Sequence, residues 1–234
     1  MLDLENVLVI DIETVPATSN FSELDETWQK LWTKKAERIA KEKRASEVYD
    51  RAGIYAEFGK IVCIGVGVYF YQGDHLRLRV KSFQSQDEKE LLKEFSSFLR
   101  KHYNRKTHLL AAHNGKEFDY PYLCRRMVVN QIKLPFILNL SGKKPWEVQH
   151  LDTMEFWKFG DYKSYTSLEL LAALLGIETP KDDIDGSQVA QVYYEEGNLE
   201  RIAQYCKKDV VTTAQLLAKM HLNQGILPGN IEIK

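Results

Sequence analysis

Residues 61–83, IVCIGVGVYFYQGDHLRLRVKSF, indicate the fold class of this chain. Branched and aromatic residues form a continuous apolar run over 61–70, which is typical of a strand buried within a sheet. After a turn at Gly73, apolar residues alternate with basic ones, so residues 76–83 are predicted to form a half-exposed strand. The two segments together predict a β-hairpin.

The other predicted elements place this hairpin in a mixed α/β sheet. Short apolar runs predict further strands at residues 7–10, 109–112 and 148–151. Apolar residues at helical spacing predict a helix after Asp87, a second over 122–129, and helices from 167 to about 221 with a polar interruption at 181–186. This order of elements predicts a five-stranded mixed sheet flanked by helices, and it disfavours an alternating βαβ barrel.

Length and composition favour one globular domain covering residues 1–234. The chain has 234 residues, 32 basic and 33 acidic side chains, and 44% hydrophobic residues, a composition that disfavours the collagen-like, disordered and coiled-coil classes. One large insertion, predicted to be helical, lies at about 20–55. Seven basic residues in this insertion have two interpretations, a contact with nucleic acid or a solvated helix face. They are Lys30, Lys34, Lys35, Arg38, Lys41, Lys43 and Arg44.

The sequence also suggests a cellular location. The longest apolar stretch, residues 61–71, is shorter than the roughly 20 residues that a membrane helix needs. Acidic residues stand near the N-terminus, where a signal peptide carries Lys or Arg. The three cysteines form no C-x-x-C pair, so neither a disulfide framework nor a zinc knuckle is predicted. We therefore expect a reduced, cytoplasmic protein without a membrane contact.

The first group of candidate site residues is Asp11-Ile12-Glu13-Thr14, at the end of the first predicted strand. Side chains alternate along a strand, so Asp11 and Glu13 are expected on the same side. Two carboxylates this close repel each other unless a proton or a cation intervenes. The motif favours a metal site, and a solvated turn is the alternative interpretation.

Two further groups follow along the chain. Asp119 ends the segment His113-Asn114-Gly115-Lys116-Glu117-Phe118-Asp119. It is expected either to cap a helix that begins at Tyr120 or to lie at the sheet edge where α/β proteins place ligands. Tyr205 and Asp209, four residues apart, border the buried stripe of the last long helix. The structural alternative is a half-buried Tyr beside a salt-bridged Asp.

In this order the three groups, D-x-E, N-x-x-x-F-D and Y-x-x-x-D, resemble the three exonuclease motifs of the DEDD superfamily. The Tyr variant is favoured, because histidine variants carry His at the position of Gln204. The chain is most similar to the proofreading exonuclease domain of family B DNA polymerases and to stand-alone bacterial proteins predicted to be 3′–5′ exonucleases. The resemblance extends from Val7 to about Met220 and implies a ribonuclease H-like fold.

The resemblance implies a two-metal-ion mechanism, with Tyr205 orienting the attacking water. The carboxylates implied to hold two divalent cations, Mg²⁺ or Mn²⁺, are Asp11, Glu13, Asp119 and Asp209. The positions implied to hold the 3′-terminal nucleotides are Thr14, Asn114 and Phe118. The implied substrate is the 3′ end of single-stranded nucleic acid, DNA more than RNA, with 5′-mononucleotides as products. A polymerase or repair complex is the implied protein partner.

A catalytically silent nucleic-acid-binding or scaffold module on the same fold is the alternative function. The presence of all four carboxylates and of Tyr205 favours the enzyme. Asp152 is predicted to be a turn residue at a strand end, with a fifth acidic site group as the alternative. Gly65-Val66-Gly67 lacks the third glycine of a dinucleotide-binding motif. The histidines predicted to be structural are His113, His150 and His221.

Overall fold

A mixed sheet of six strands lies at the centre of the protein, in a computed structural model that describes residues 2–161, 165–179 and 184–234. The strand order is β5-β4-β1-β2-β3-β6. The strands are β1 (Val7–Pro16), β2 (Gly59–Gln72), β3 (His75–Gln84), β4 (Leu109–Ala112), β5 (Leu151–Asp152) and β6 (Ile231–Ile233). β1, β2 and β3 are antiparallel neighbours, while β4 runs parallel to β1 and β5 to β4. The predicted mixed α/β class and ribonuclease H-like fold are confirmed.

The predicted number of five strands is wrong, because β6 pairs in parallel with β3 at the sheet edge, with Ile231 opposite Leu78. A strand of three residues is too short to show an alternating pattern. The predicted strand over 148–151 is also displaced, since β5 consists of Leu151 and Asp152 alone.

Helices cover both faces of the sheet. They are α1 (Glu26–Ile39), α2 (Glu88–His102), α3 (Asp119–Val129), α4 (Thr153–Lys158), α5 (Leu168–Leu174), α6 (Val189–Gln191), which continues as a π-turn (Val192–Glu196), and α7 (Leu199–Leu222). The predicted interruption at 181–186 falls partly on residues 181–183, outside the described residues. None of the described helices combines the length and the hydropathy that a membrane span requires.

Alternate residues of β1 point into two different cores. Leu8 and Ile10 pack with the apolar faces of α2 and α3, whereas Val7 and Val9 pack with α7 residues such as Val210. This is the period of two expected for a strand that is covered on both faces. The central strand is thereby held between helices, and α7 lies directly against the face that carries Val7 and Val9.

A pair of glycines lets α7 approach β2 closely. A Cβ atom at Gly65 would lie 2.7 Å from Val210 Cγ2 and 2.9 Å from Cys206 Sγ, and one at Gly67 would lie 2.8 Å from Val210 Cγ1. These separations are shorter than normal van der Waals contacts. The motif Gly65-Val66-Gly67 therefore has a packing role, because it allows the α7 backbone to lie near β1 and β2.

Residues 20–55 form a small apolar core of their own. The Trp32 side chain of α1 is buried, and its indole Nε1 donates a hydrogen bond to the Ala45 carbonyl at 2.9 Å. Its ring packs edge-on against Tyr49, which lies in a 3₁₀ segment, Ala45–Ile54. The 3₁₀ segment lies between α1 and β2 in the chain and packs against β1, with Gly53 beside Val15 and Pro16. α1 is thereby attached next to the strand that carries Asp11.

Candidate active site

The first strand carries two acidic residues beyond the point where its parallel partner ends. β1 pairs with β4 as far as Val9, which lies opposite Ala111, and β4 ends at Ala112. From Asp11 onward, no strand of the described chain pairs with that edge of β1. The other edge remains paired with β2 as far as Pro16. The prediction that the first strand ends near Asp11 is therefore wrong, because pairing with β2 extends it.

Asp11 and Glu13 bring their carboxylates together on one side of β1, as strand alternation predicts. Their carboxylate oxygens and the Sγ atom of Cys206 all lie within 4.8 Å of one another. The Cys206 thiol donates a hydrogen bond to Asp11 Oδ2 at 3.3 Å and lies 3.5 Å from the Asp11 carbonyl oxygen. The sequence pattern places Cys206 in the buried stripe of α7 but does not reveal this contact.

Asp119 is the first residue of α3 and is buried. The expected cap of a helix starting at Tyr120 is not found, because α3 begins at Asp119 itself and its side chain is used elsewhere. The carboxylate accepts hydrogen bonds from its own backbone N–H and from that of Ile12, on the edge of β1 beyond β4. Asp119 thus joins the start of α3 to the strand that holds Asp11 and Glu13.

Tyr205 and Asp209 come from α7, one helical turn apart. The Tyr205 phenol is hydrogen-bonded to the Asp209 carboxylate. Burial raises the phenol pKa far above its ordinary value, and the negative charges of Asp209, Glu13 and Asp11 raise it further. Tyr205 is therefore fully protonated at neutral pH, and it lies among three of the four predicted carboxylates.

The carboxylates raise one another's pKa values. Burial raises the pKa of Asp11 and of Glu13 well above the ordinary values, and Asp209 and Asp119 add to both shifts. Burial also raises the pKa of Asp119 to about 7. No hydrogen bond reaches the Glu13 carboxylate from the part of the chain that the structure describes. Buried oxygen ligands that repel one another fit a divalent cation, which would replace this repulsion with attraction.

A cleft of about 660 Å³ opens over these residues. Asp11, Tyr205 and Asp209 line it, together with the half-buried Lys208. Tyr165, a residue that is 70% exposed, lies at the same cleft. The cleft has the volume of a pocket for one small ligand, and it combines acidic side chains with a basic and an aromatic one.

The three predicted nucleotide-binding residues lie near the carboxylates but are not among those that line the cleft. Thr14 is hydrogen-bonded to the phenol of Tyr122, and the ring of Phe118 packs against that of Tyr122 at 5.3 Å. The structure thus brings Thr14 and Phe118 together. Asn114 has a positive φ of 62°, and its Oδ1 atom is buried with no hydrogen-bond partner among the described residues.

Asp152 has a structural role, as predicted for a turn residue. Its buried carboxylate accepts hydrogen bonds from the backbone N–H of Asn114 at 2.9 Å and of Lys116 at 3.1 Å. It also accepts from Met154 N at 3.0 Å, at the start of α4. These bonds hold the loop that precedes Asp119 and support the positive φ of Asn114.

Two of the histidines also connect backbone segments. His150 accepts a hydrogen bond from Leu110 N and bonds the Ile137 carbonyl through Nε2. His113 joins Thr153 Oγ1 at 2.8 Å to the Thr166 carbonyl at 2.9 Å. It also lines the cleft, a position that its spacing in the sequence does not indicate.

Comparison with known proteins identifies the family of this chain. Over residues 54–231 the chain matches the family described as a predicted 3′–5′ exonuclease related to the exonuclease domain of PolB. It is 26% identical over 144 residues to a DNA polymerase of Pyrococcus glycovorans and 25% identical over 143 residues to one of Thermococcus gorgonarius. Each alignment covers 55% of this chain and 18% of the polymerase, so the chain spans under a fifth of these relatives. The family match and the fold together show that this chain belongs to the family of predicted 3′–5′ exonucleases related to the exonuclease domain of PolB.

Proposed function

We propose that this chain is a metal-dependent 3′–5′ exonuclease that releases 5′-mononucleotides from the end of single-stranded nucleic acid. The observation that carries the proposal is the convergence of four carboxylates and the Tyr205 phenol beside one cleft, in a member of this exonuclease family. DNA is the favoured substrate, because the two relatives named above are DNA polymerases.

Asp11, Glu13, Asp119 and Asp209 are the proposed ligands of two divalent cations. Carboxylate oxygens without nitrogen donors favour the hard cations Mg²⁺ and Mn²⁺. When bound, two such cations lower the pKa of a water molecule and neutralise charge on the phosphoryl and leaving oxygens. Because burial and mutual repulsion disfavour the ionised carboxylates, the protein contributes an environment in which these ligands are strongly drawn to cations.

Tyr205 is proposed to position the attacking water through its hydroxyl group. A phenol whose pKa is raised by burial and by three carboxylates does not ionise at neutral pH, so it does not act as a general base. It can hold a water molecule by a hydrogen bond while the Asp209 carboxylate fixes the direction of the hydroxyl. Its contribution is therefore one of orientation.

Thr14, Asn114 and Phe118 are proposed to hold the last nucleotides at the 3′ end. The Oδ1 atom of Asn114 is buried and has no hydrogen-bond partner among the described residues, so a donor on a bound nucleotide would satisfy it. The half-buried ring of Phe118 offers a surface on which a base can stack. A cleft of about 660 Å³ accommodates a frayed strand end, whereas a blunt duplex must first lose its terminal base pairs. Single strands are therefore the proposed substrate.

Association with a polymerase or repair complex is proposed because each of these two relatives is a DNA polymerase that aligns over 18% of its own length. We regard residues 1–234 as one exonuclease domain with a helical insertion at about 20–55. The pairing of β1 with β2 across this segment, and the apolar core that the segment has of its own, support this division.

The test uses purified protein and 5′-labelled single-stranded DNA or RNA, with Mg²⁺, Mn²⁺ or chelator. A ladder that shortens stepwise, yields 5′-mononucleotides and disappears with chelator supports the proposal. A circular single strand, which has no 3′ end, is the control and should resist degradation. Degradation of the circle at the same rate would contradict an exonuclease, and tight binding without cleavage would instead favour the silent module.

A further inference from the structure

Cys206 supplies a thiol to the cluster of carboxylates, and the proposed reaction does not use it. Its Sγ atom lies 3.3 Å from Asp11 Oδ2. A carboxylate oxygen of Asp11, a carboxylate oxygen of Glu13 and the Cys206 Sγ atom all lie within 4.8 Å of one another. Two hard oxygen donors and one soft sulfur donor are thus brought together in the fold.

The Glu13 carboxylate gives independent evidence that this group faces a ligand. Its residue is only 7% exposed. Within residues 2–161, 165–179 and 184–234, no hydrogen bond or ion pair satisfies it, and the charges that act on it, those of Asp11, Asp119, Asp209 and Cys63, all disfavour its ionised form. A buried carboxylate in such surroundings costs free energy unless a cation or a proton neutralises it.

The spacing of these atoms suits a tetrahedral zinc ion. Zn²⁺ binds sulfur at about 2.3 Å and carboxylate oxygen at about 2.0–2.2 Å, so two such ligands at a tetrahedral angle are about 3.6 Å apart. The Cys206 Sγ to Asp11 Oδ2 distance of 3.3 Å differs from this value by a few tenths of an ångström. Three protein ligands would leave the fourth position for water.

We propose that Asp11, Glu13 and Cys206 form a site for a thiophilic divalent cation, Zn²⁺ or Cd²⁺. On binding, the Cys206 S–H bond breaks, a sulfur–metal bond forms, and the proton is released to the buffer. Mg²⁺ and Mn²⁺ gain little from a thiolate ligand, whereas Zn²⁺ and Cd²⁺ favour one. Because Asp11 and Glu13 belong to both ligand sets, the thiophilic ion excludes the ions used in catalysis. This exclusion rests on the proposed function, but the binding itself does not.

The experiment is a titration of metal-free, full-length protein with Cd²⁺, followed by the ultraviolet charge-transfer absorption of a cadmium–thiolate bond. The wild type should develop this band at one equivalent, and Cys206→Ser should lose it. Cys124→Ser, whose thiol donates a hydrogen bond to the Leu138 carbonyl away from the cluster, is the matched control and should keep it. Absence of the band in the wild type, or a band that survives in Cys206→Ser and disappears in a control, overturns the proposal.

A second variant keeps the sulfur and removes an oxygen ligand, which guards against misfolding of Cys206→Ser. Glu13→Gln should show the same band at saturation, with the affinity for Cd²⁺ lowered at least about tenfold. Removing a residue that only hydrogen-bonds a metal ligand already lowers metal affinity about 10–100-fold, and Glu13 is proposed to bind the metal directly. Unchanged affinity in Glu13→Gln would remove Glu13 from the site and overturn the three-ligand proposal.

Nuclease assays separate this inference from the proposed function. In the presence of Mn²⁺, Zn²⁺ should inhibit the wild type and Cys124→Ser at the same concentration. If the wild type hydrolyses no substrate in Mg²⁺ or Mn²⁺, the proposed function fails. The cadmium absorption band still tests the thiophilic site in that case, because it does not depend on hydrolysis. Hydrolysis that Zn²⁺ leaves unaffected at concentrations that displace bound Cd²⁺ would overturn the proposed exclusion.

Discussion

Replacing Asp119 by Asn should stabilise the metal-free protein at alkaline pH. Burial raises the pKa of the Asp119 carboxyl from 3.8 to about 7 in the folded chain. A raised folded-state pKa means that the folded state holds the proton more tightly than the unfolded state. The associated stability is present below about pH 4 and is lost as pH rises through about 7. Asn carries no such charge and retains an oxygen that can accept the Ile12 N–H.

The expected size follows from the same two pKa values. A pKa difference of one unit corresponds to about 1.4 kcal/mol, so ionisation of Asp119 lowers the free energy of unfolding by about 4 kcal/mol between pH 4 and pH 8. Asp119→Asn should therefore gain up to about 4 kcal/mol over the wild type at pH 8 and much less at pH 4. The substitution also removes the repulsion that the Asp119 charge exerts on Asp11 and Glu13, which further stabilises the variant at pH 8.

Urea unfolding in EDTA at pH 4, 5, 6, 7 and 8 measures this difference. Asp74→Asn, in the exposed turn between β2 and β3, is the matched control and should follow the wild type at every pH. Saturating Mn²⁺ should raise the wild type towards the variant, because binding to the folded state alone adds stability by mass action. If the free energies of unfolding of the wild type and of Asp119→Asn differ by the same amount at every pH from 4 to 8, the raised pKa of the buried Asp119 carboxyl is refuted.

Three further predictions concern catalysis and packing. Asp11→Asn should abolish turnover in Mg²⁺ or Mn²⁺ while circular dichroism shows a retained fold, and substantial turnover would contradict its role as a metal ligand. Tyr205→Phe should slow single-turnover hydrolysis about 10²–10⁴-fold with DNA binding intact; early melting with wild-type turnover would instead indicate a structural Tyr. Gly65→Ala should lower the free energy of unfolding by about 1–3 kcal/mol through overpacking against Val210, as measured by urea titration. Gly73→Ala is the comparison: its added Cβ meets nothing within 4 Å, but its φ of +60° strains the backbone, so it shows the effect of strain without overpacking.

The parts of the fold that local pattern could predict are those with a strong period. Strand alternation in residues 76–83 identified the half-exposed β3, and the same period correctly placed Asp11 and Glu13 on one side of β1. Helical spacing correctly predicted α2 and the long α7. These elements bury a regular face, so their sequences carry a regular signal.

Elements defined by their partners could not be predicted in the same way. β1 continues to Pro16 because β2 pairs with it, and β6 exists as a strand because β3 offers it an edge. The register between β1 and β2 also shifts after Glu13, since Glu13 lies opposite Cys63 and Thr14 opposite Ile61. Such a bulge increases the local twist beside the site. Each feature depends on a contact between residues far apart in the chain.

The site depends on the same kind of distant contact. Gly65 looks like a weak strand residue and Cys206 like an ordinary buried one, and neither residue type alone suggests a site. Together they let the α7 backbone approach β2 so closely that a Cβ atom at Gly65 would collide with Cys206. That approach brings the Cys206 thiol to Asp11, and it carries Tyr205 and Asp209 on the same helix to the carboxylates of β1. Position 65 lies opposite Asp11 in the pairing of β1 with β2, and a Cβ atom there would meet Cys206. A larger residue at this position would therefore disturb metal binding as well as packing.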